Sequence, residues 1–236
     1  MTKNERGYIV PDAYTACVLL VAFDKEREEM KVVMSKRGAL DKSGNYDPFD
    51  GKWAIPECYV EYGMMANEAA IKLVNEHMDL DSPSMFLRHI GVFDNPNRDT
   101  RGWYIANLFY AVVSYDSLDE INSDFEIITK DQLLANETKI AFDHKEIARK
   151  VLANIENDVY TQIFNKTLFE TDVISELLGT QFSAGDLQSL GNYVGLTYDR
   201  TTYYRNINKF YTKCGSVKVD GIKKPVTLYK KGDKDE

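Results

Sequence analysis

Apolar residues follow two different rhythms along this chain, and the change from one to the other predicts its elements. Between residues 13 and 35 they are nearly continuous, in "YTACVLLVAF" and "KVVMS", with the charged "DKEREE" between. This predicts two strands joined by a turn. A polar stretch follows, "KRGALDKSGNYDPFDGK". It is too long for a simple hairpin, and loops of this length tend to be functional or mobile. Short strands are predicted around Trp53–Ile55 and Tyr59–Val60. Apolar residues then fall at 66, 69, 70, 73, 74 and 78, one helical stripe that predicts a helix from Ala66 to Met78. "FLRHIGVF", "YIANLFYAVV" and "FEIIT" read as strands. "AFDHKEIARKVLANI" reads as a helix capped by Asp143, with Glu146 at the capping-box position. Strands, a helix, strands and a second helix make an α+β unit, expected to span residues 1–158.

From about Tyr160 the pattern shortens. "TDVISELLG", "SAGDLQSLGNYVG" and "DRTTYYRNINKFY" read as three short helices, opening on Thr171 or Asp172, on Ser183 and on Asp199. Two strand-like pieces follow, "GSVKV" and "KPVTLYKK", joined by "DGIK", whose Asp-Gly signals a hairpin. Three helices and a hairpin are the order of a winged helix-turn-helix, expected over residues 159–236. Charge supports this division. The chain carries −8 overall, which argues against nucleic-acid binding if averaged, yet from residue 180 onward it holds ten Lys or Arg against six acids. The basic residues sit on the third helix and the hairpin, where a phosphate backbone would lie. Helical spacing puts Thr201, Thr202 and Arg205 on one face, with Tyr203, Ile207 and Phe210 turned to the core. The expected DNA contacts are therefore Arg200, Thr201, Thr202, Arg205 and Lys209 on the helix, and Lys218, Lys223 and Lys224 on the hairpin.

The remaining composition is that of an ordinary globular protein, with 44% hydrophobic and 28% charged residues. No apolar run reaches the roughly 20 residues of a membrane helix, and the polar start "MTKNERGYIVPD" has no signal-peptide core. A cytoplasmic location with no membrane partner is expected. Cys17, Cys58 and Cys214 lack paired spacing, which argues against a disulfide framework or a zinc knuckle.

"GKWAIPECYVEYGMMANEAAIKLVNEHMDL" resembles the Nudix signature and its lead-in, W-x-L-P-G-G-x-V-E-x-G followed by a helix ending R-E-x-x-E-E-x-G. Trp53, Pro56, Val60, Glu61, Gly63 and the Ala69-Ala70 pair fall in register. The catalytic positions do not. The two glycines are Glu57 and Cys58, the Glu that opens the box is Met64, and R-E-x-x-E-E has become Lys72, Leu73, Val74, Asn75, Glu76 and His77. In the intact motif, carboxylates at i, i+3 and i+4 share a helix face and hold Mg²⁺ against a pyrophosphate. Only Glu76 remains of that set. No catalytic residue and no metal or other cofactor is expected. The alternative is a hydrolase whose Mg²⁺ site is rebuilt from Glu76 and Glu61, with help from Glu57 or Glu68.

"GVFDNPNRDTRGWYIANLFYAVV" resembles a segment of Nudix-related transcriptional regulators of the NrtR type, roughly F-x-x-P-x-R-D-x-R-G before a strand. Phe93, Pro96, Arg98, Asp99, Arg101 and Gly102 match. Arg98 and Arg101 are suited to gripping phosphate with planar forks, with Asp99 orienting one of them. "IAFDHKEIARKVL" is similar to the F-D-H-x-x-I that closes the Nudix domain there, which makes His144 a structural residue. "FSAGDLQSLGNYV" and "YDRTTYYRNI" resemble the helices of the family's DNA-binding part, although Thr201, Tyr204 and Asn206 stand where it often has basic residues. The resemblance implies a Nudix-like α/β/α sandwich with a mixed sheet, followed by a winged helix. It also implies a homodimer on double-stranded operator DNA and a small effector, ADP-ribose or a related sugar metabolite. The expected effector contacts are Phe93, Arg98, Asp99, Arg101 and Glu61. The alternative function is a Nudix pyrophosphohydrolase of nucleoside diphosphate derivatives such as ADP-ribose.

Overall fold

The structure, a computed structural model, describes residues 2–40, 44, 46–80, 86–165 and 173–232. The expectation that Thr171 or Asp172 caps a helix falls outside these residues.

The chain opens with a small ribbon of β1 (Thr2–Lys3) and β2 (Ile9–Val10), then runs through β3 (Ala13–Asp24), β4 (Glu29–Lys36), β5 (Trp53–Ala54) and β6 (Glu57–Tyr59). Helix α1 (Ala66–Lys72) passes into a π-helical turn over Leu73–His77, and β7 (Phe86–Phe93), β8 (Tyr104–Val112), a 3₁₀ turn (Tyr115–Glu120), β9 (Phe125–Thr129) and α2 (Lys130–Leu134) follow. Helix α3 (His144–Asn165) then leads to α4 (Val173–Leu178), α5 (Ala184–Tyr193), α6 (Arg200–Phe210), β10 (Tyr211–Val217) and β11 (Val226–Lys231).

Strands β5-β4-β3-β8-β7 form the main sheet, with β6 added on β3 and β9 on β4. The β3–β8 pair is parallel and the others are antiparallel, so the sheet is mixed as expected. The unbroken apolar run of β3 has a simple cause: the strand is central and both of its faces are covered. Cys17, Leu19, Val21 and Phe23 join a core that takes in α3 and reaches Tyr229 of the last strand. Ala16, Val18, Leu20 and Ala22 pack with Ala69, Ala70, Leu73 and Val74 on the other face. These two layers flank the sheet in the α/β/α sandwich.

Two predicted helices differ in detail. The first is helical as expected, but its last turn is π: the Met78 amide reaches back five residues to the Leu73 carbonyl at 3.1 Å. The wider turn keeps Leu73, Val74 and Met78 together in the core. The second runs to Asn165, through the expected division at 158/159. Its expected capping box is not formed, because each carboxylate has a better-placed cation. Asp143 accepts both forks of Arg98, and Glu146 pairs with Arg149 and Lys150 one turn on.

The C-terminal part has the predicted helices and hairpin. Ser183 caps α5, accepting from the Asp186 amide at 3.1 Å, and Asp199 caps α6, accepting from the Thr202 amide at 3.0 Å. The Phe182 and Tyr229 amides and carbonyls pair at 3.0 and 2.9 Å, adding a short third strand to the β10–β11 wing. Between α5 and α6 the backbones approach closely. A Cβ on Gly191 would lie 2.1 Å from the Tyr203 hydroxyl, which itself donates to the Leu196 carbonyl at 2.9 Å.

Candidate functional site

The β7–β8 loop, the end of β4, the β6 strand and the start of α3 meet at one end of the sheet, and their charged side chains form a single cluster. Arg37 donates to Asp47 at 2.7 Å and to Glu57 at 3.4 Å. Arg98 donates to both oxygens of Asp143, at 2.7 and 3.2 Å. Arg101 grips Asp99 through Nε and Nη2, the latter at 2.7 Å, and the Arg101 amide donates to the same carboxylate at 2.9 Å. Asp99 therefore orients Arg101, as its spacing suggested. Three guanidiniums meet four carboxylates here. That pairing is what allows so much charge to be taken out of water: the Arg98 side chain is only 4% exposed.

Phe142 sits in the middle. The Arg37 and Arg101 guanidiniums stand 5.2 and 5.1 Å from its ring centre, and Phe49 packs against it at 4.2 Å. Arg101 also lies over Tyr104, at 4.9 Å. Phe142 takes a left-handed backbone, φ +55°, which is strained for an aromatic residue and recurs where function fixes a side chain. The adjoining His144 is fully buried, and its Nδ1 accepts the Ile55 amide at 3.0 Å. Burial, then the Arg98 charge, push its pKa down to about 3, so it is a neutral structural acceptor. Burial raises Asp47, but the Arg37 bond and the Phe49 amide outweigh it and hold the carboxyl below its ordinary range. Cys17 beside Glu57 is pushed well up, by burial first and then by that carboxylate, so it is a thiol.

Of the expected effector residues, the structure brings Arg98, Asp99 and Arg101 into this cluster. Phe93 ends β7, half-buried on the same sheet face. Glu61 stays outside, 70% exposed and 3.9 Å from Lys72. Arg37, Asp47, Phe49 and Phe142 were not anticipated as site residues. Three of them lie in the long polar loop that its length had marked, and Phe142 lies in the quoted F-D-H. A cleft of about 210 Å³ lies elsewhere, between the β3–β4 turn, Tyr115 and Leu177–Leu178 of α4, and shares no residue with the cluster.

The Nudix-like helix does not fit Mg²⁺. Leu73 is 2% exposed and belongs to the core. Glu76 and His77 are exposed on the π-turn. Glu61 faces a lysine rather than a second anion. Among the described residues no three His, Cys, Asp or Glu side chains are grouped to hold a metal.

A second candidate surface is formed by α6 and the wing. Arg200, Thr201, Arg205 and Lys209 are exposed along α6, while Tyr203 and Ile207 are buried as their spacing predicted. Thr202 is half-buried and its hydroxyl donates to the capping Asp199 at 3.2 Å. Arg200 leans on the Tyr204 ring, 5.6 Å from its centre. Lys218, Lys223 and Lys224 are exposed on the hairpin, whose tip turns at Gly221, φ +82°.

The chain matches no protein-family model. It is similar to the "ADPR responsive transcriptional repressor NtrR" of Acinetobacter baylyi, 23% identical over 219 residues, which are 89% of this chain and 79% of that protein. It is also similar to the ADP-ribose pyrophosphatase of Methanocaldococcus jannaschii, 33% identical over 103 residues, 44% of this chain and 59% of that one. The crystal structure of Shewanella oneidensis NrtR complexed with a 27mer DNA shares its fold, with a TM-score of 0.73, 16% identity and 93% of each chain covered. The resemblance read from the sequence holds at the level of the fold: the chain shares the architecture of that NrtR structure, a Nudix-like sandwich followed by a winged helix, and its Nudix-like box is degenerate.

Proposed function

We propose that this chain is a ligand-responsive transcriptional regulator: its Nudix-like domain senses ADP-ribose or a closely related metabolite, and its winged helix binds operator DNA. The observation that carries the reading is the fate of the catalytic helix. Its framework is kept, its metal-ligand position Leu73 is core, and a basic helix–turn–helix surface is attached to it. The similarity to an ADPR-responsive repressor over most of both chains supports the same reading.

The arginine cluster is the proposed effector site. Arg37 and Arg101, held on the rings of Phe142 and Tyr104, offer cations to phosphate. Arg98 contributes less directly, since its fork is buried against Asp143. Phe93 belongs to the surrounding wall, and Glu61 can reach an effector only from the rim. On α6, Arg200, Thr201 and Arg205 face the major groove, while Lys209 and the wing lysines face phosphates. Thr202 serves chiefly as part of the helix cap. A homodimer on a palindromic site is part of the proposal, as is a cytoplasmic location. No helix among the described residues is long and apolar enough to cross a membrane.

Selection from a random duplex library, run beside an assay of ADP-ribose turnover with Mg²⁺, tests the reading. Enrichment of a defined duplex with no turnover is expected. Robust turnover that Glu76→Gln abolishes, with no duplex enriched, would instead establish the hydrolase.

A further inference from the structure

Most of what holds the winged helix against the Nudix-like domain is apolar. Ile155, Val159 and Ile163 of α3 share one core with Leu177, Leu187 and Leu190 of α4 and α5. Apolar contact is non-directional and sets no angle by itself. A polar contact adds direction to it. Glu156 of α3 accepts the Tyr193 hydroxyl of α5 at 2.6 Å through Oε1, and the same oxygen accepts the Lys130 ammonium from the start of α2. Lys130 also stands over the Tyr193 ring at 5.6 Å, and that ring packs on Phe23 of β3 at 5.5 Å. The Lys130 and Glu156 side chains are 26% and 27% exposed. A hydrogen bond is directional, and a charge-assisted one in a partly dry setting is strong. Lys130 neutralises the glutamate, so the carboxylate can stay at the junction.

The position of this knot gives it a task. Helix α3 begins in the arginine cluster, where Asp143 holds Arg98 and His144 holds the Ile55 amide. Glu156 lies twelve residues farther along the same helix, about 18 Å at 1.5 Å per residue. A rigid helix therefore joins the candidate effector site directly to the bond that orients α5, and α5 is the helix on which α6 packs through Gly191 and Tyr203.

We propose that the Glu156–Tyr193 bond, held by Lys130, is the register pin through which α3 reports the state of the Nudix-like site to the DNA-binding helices. This rests on the regulator reading. Glu156 and Tyr193 are positioning residues: neither belongs to the arginine cluster or to the exposed face of α6.

The test uses the full chain, wild type, Tyr193→Phe and Glu156→Gln. Three quantities are measured: ADP-ribose affinity by calorimetry, affinity for the selected duplex with and without saturating ADP-ribose, and amide hydrogen exchange across residues 184–193. Both variants are expected to bind ADP-ribose within twofold of wild type. The effect of ADP-ribose on duplex affinity should change at least fivefold, and exchange in α5 should quicken at least fivefold. A merely structural role would move exchange but leave that effect unchanged, which would overturn the inference. Unchanged exchange would overturn it too. If the wild-type chain binds neither duplex nor ADP-ribose, the regulator reading fails by itself. The exchange comparison then decides separately whether the pin holds α5.

Discussion

Replacing Arg98 with alanine should destabilise the whole chain, and the amount follows from its surroundings. The Arg98 side chain is 4% exposed and makes two charge-assisted bonds to Asp143, at 2.7 and 3.2 Å. Bonds of this kind are each worth about 1.5–3 kcal/mol, and removing one partner of a buried pair costs about 3–5 kcal/mol. Asp143 is 33% exposed, so water can partly resolvate the stranded carboxylate, and the lower part of that range applies. The expected loss is about 3 kcal/mol, or a fall in Tm of about 6–12 °C for a chain of this size. Because one core runs from Cys17 to Tyr229, the loss should appear in a single transition, read by circular dichroism during heating and by urea titration. Arg98→Lys keeps the charge but not the planar fork, and should recover less than half. A double-mutant cycle with Asp143→Ala isolates the pair, and the coupling should be about 2 kcal/mol. Additivity within about 0.5 kcal/mol would instead mean that the two side chains do not interact. An Arg98→Ala protein of normal stability that has lost effector binding would identify Arg98 as a ligand contact rather than a tie between loop and helix.

Three further outcomes follow from other parts of the molecule. His144 has a folded pKa of about 3 against an ordinary 6.5, so between these values the unfolded chain binds a proton that the folded chain does not. Its contribution to stability is therefore complete above pH 6.5 and is lost as pH falls toward 3. In His144→Gln, which can still accept the Ile55 amide, denaturant titrations should show a shallower loss over that window, by up to about 1.4 kcal/mol per pH unit. An unchanged slope would show that other groups carry the pH dependence. Gly191→Ala should cost about 1–3 kcal/mol by overpacking against Tyr203, and Tyr203→Phe should rescue it only in part, since ring carbons stand 2.8 and 2.9 Å from the added Cβ; calorimetry that finds the alanine neutral would mean that the two helices part easily. Gel shifts over salt should show Lys223→Ala weakening all duplexes alike and reducing the salt slope by about one phosphate contact, whereas Arg205→Ala relaxes specificity at one or two base pairs; equal effects from the two variants would contradict these roles.

How far the sequence reaches can be judged from particular elements. The strands of the sheet could be read because β3 and β8 are buried on both faces and their apolar runs are long. The helix–turn–helix could be read because Ser183 and Asp199 are true caps and Tyr203 and Ile207 keep helical spacing. Local signals of this kind do not reveal competition between partners. Asp143 reads as a cap because nothing in its neighbourhood shows that Arg98, 45 residues earlier, claims its carboxylate. The π-turn was hidden for a similar reason: a stripe at 73, 74 and 78 fits either helix, and only packing on the sheet selects the wider turn. The arginine cluster was half visible. Arg98, Asp99 and Arg101 are adjacent in sequence, whereas Arg37, Asp47 and Phe142 come from two other segments and meet only through the fold.

If this chain answers to a metabolite by changing its hold on DNA, a single titration will show it. A fluorescent duplex obtained by selection is bound by the full chain at fixed salt with Mg²⁺ present, and ADP-ribose is added while anisotropy is followed. The expected result is tight duplex binding that ADP-ribose alters at least tenfold, about 1.4 kcal/mol of coupling, with the ADP-ribose recovered intact. Duplex binding that ignores ADP-ribose, or ADP-ribose recovered as cleaved phosphate products, would contradict it.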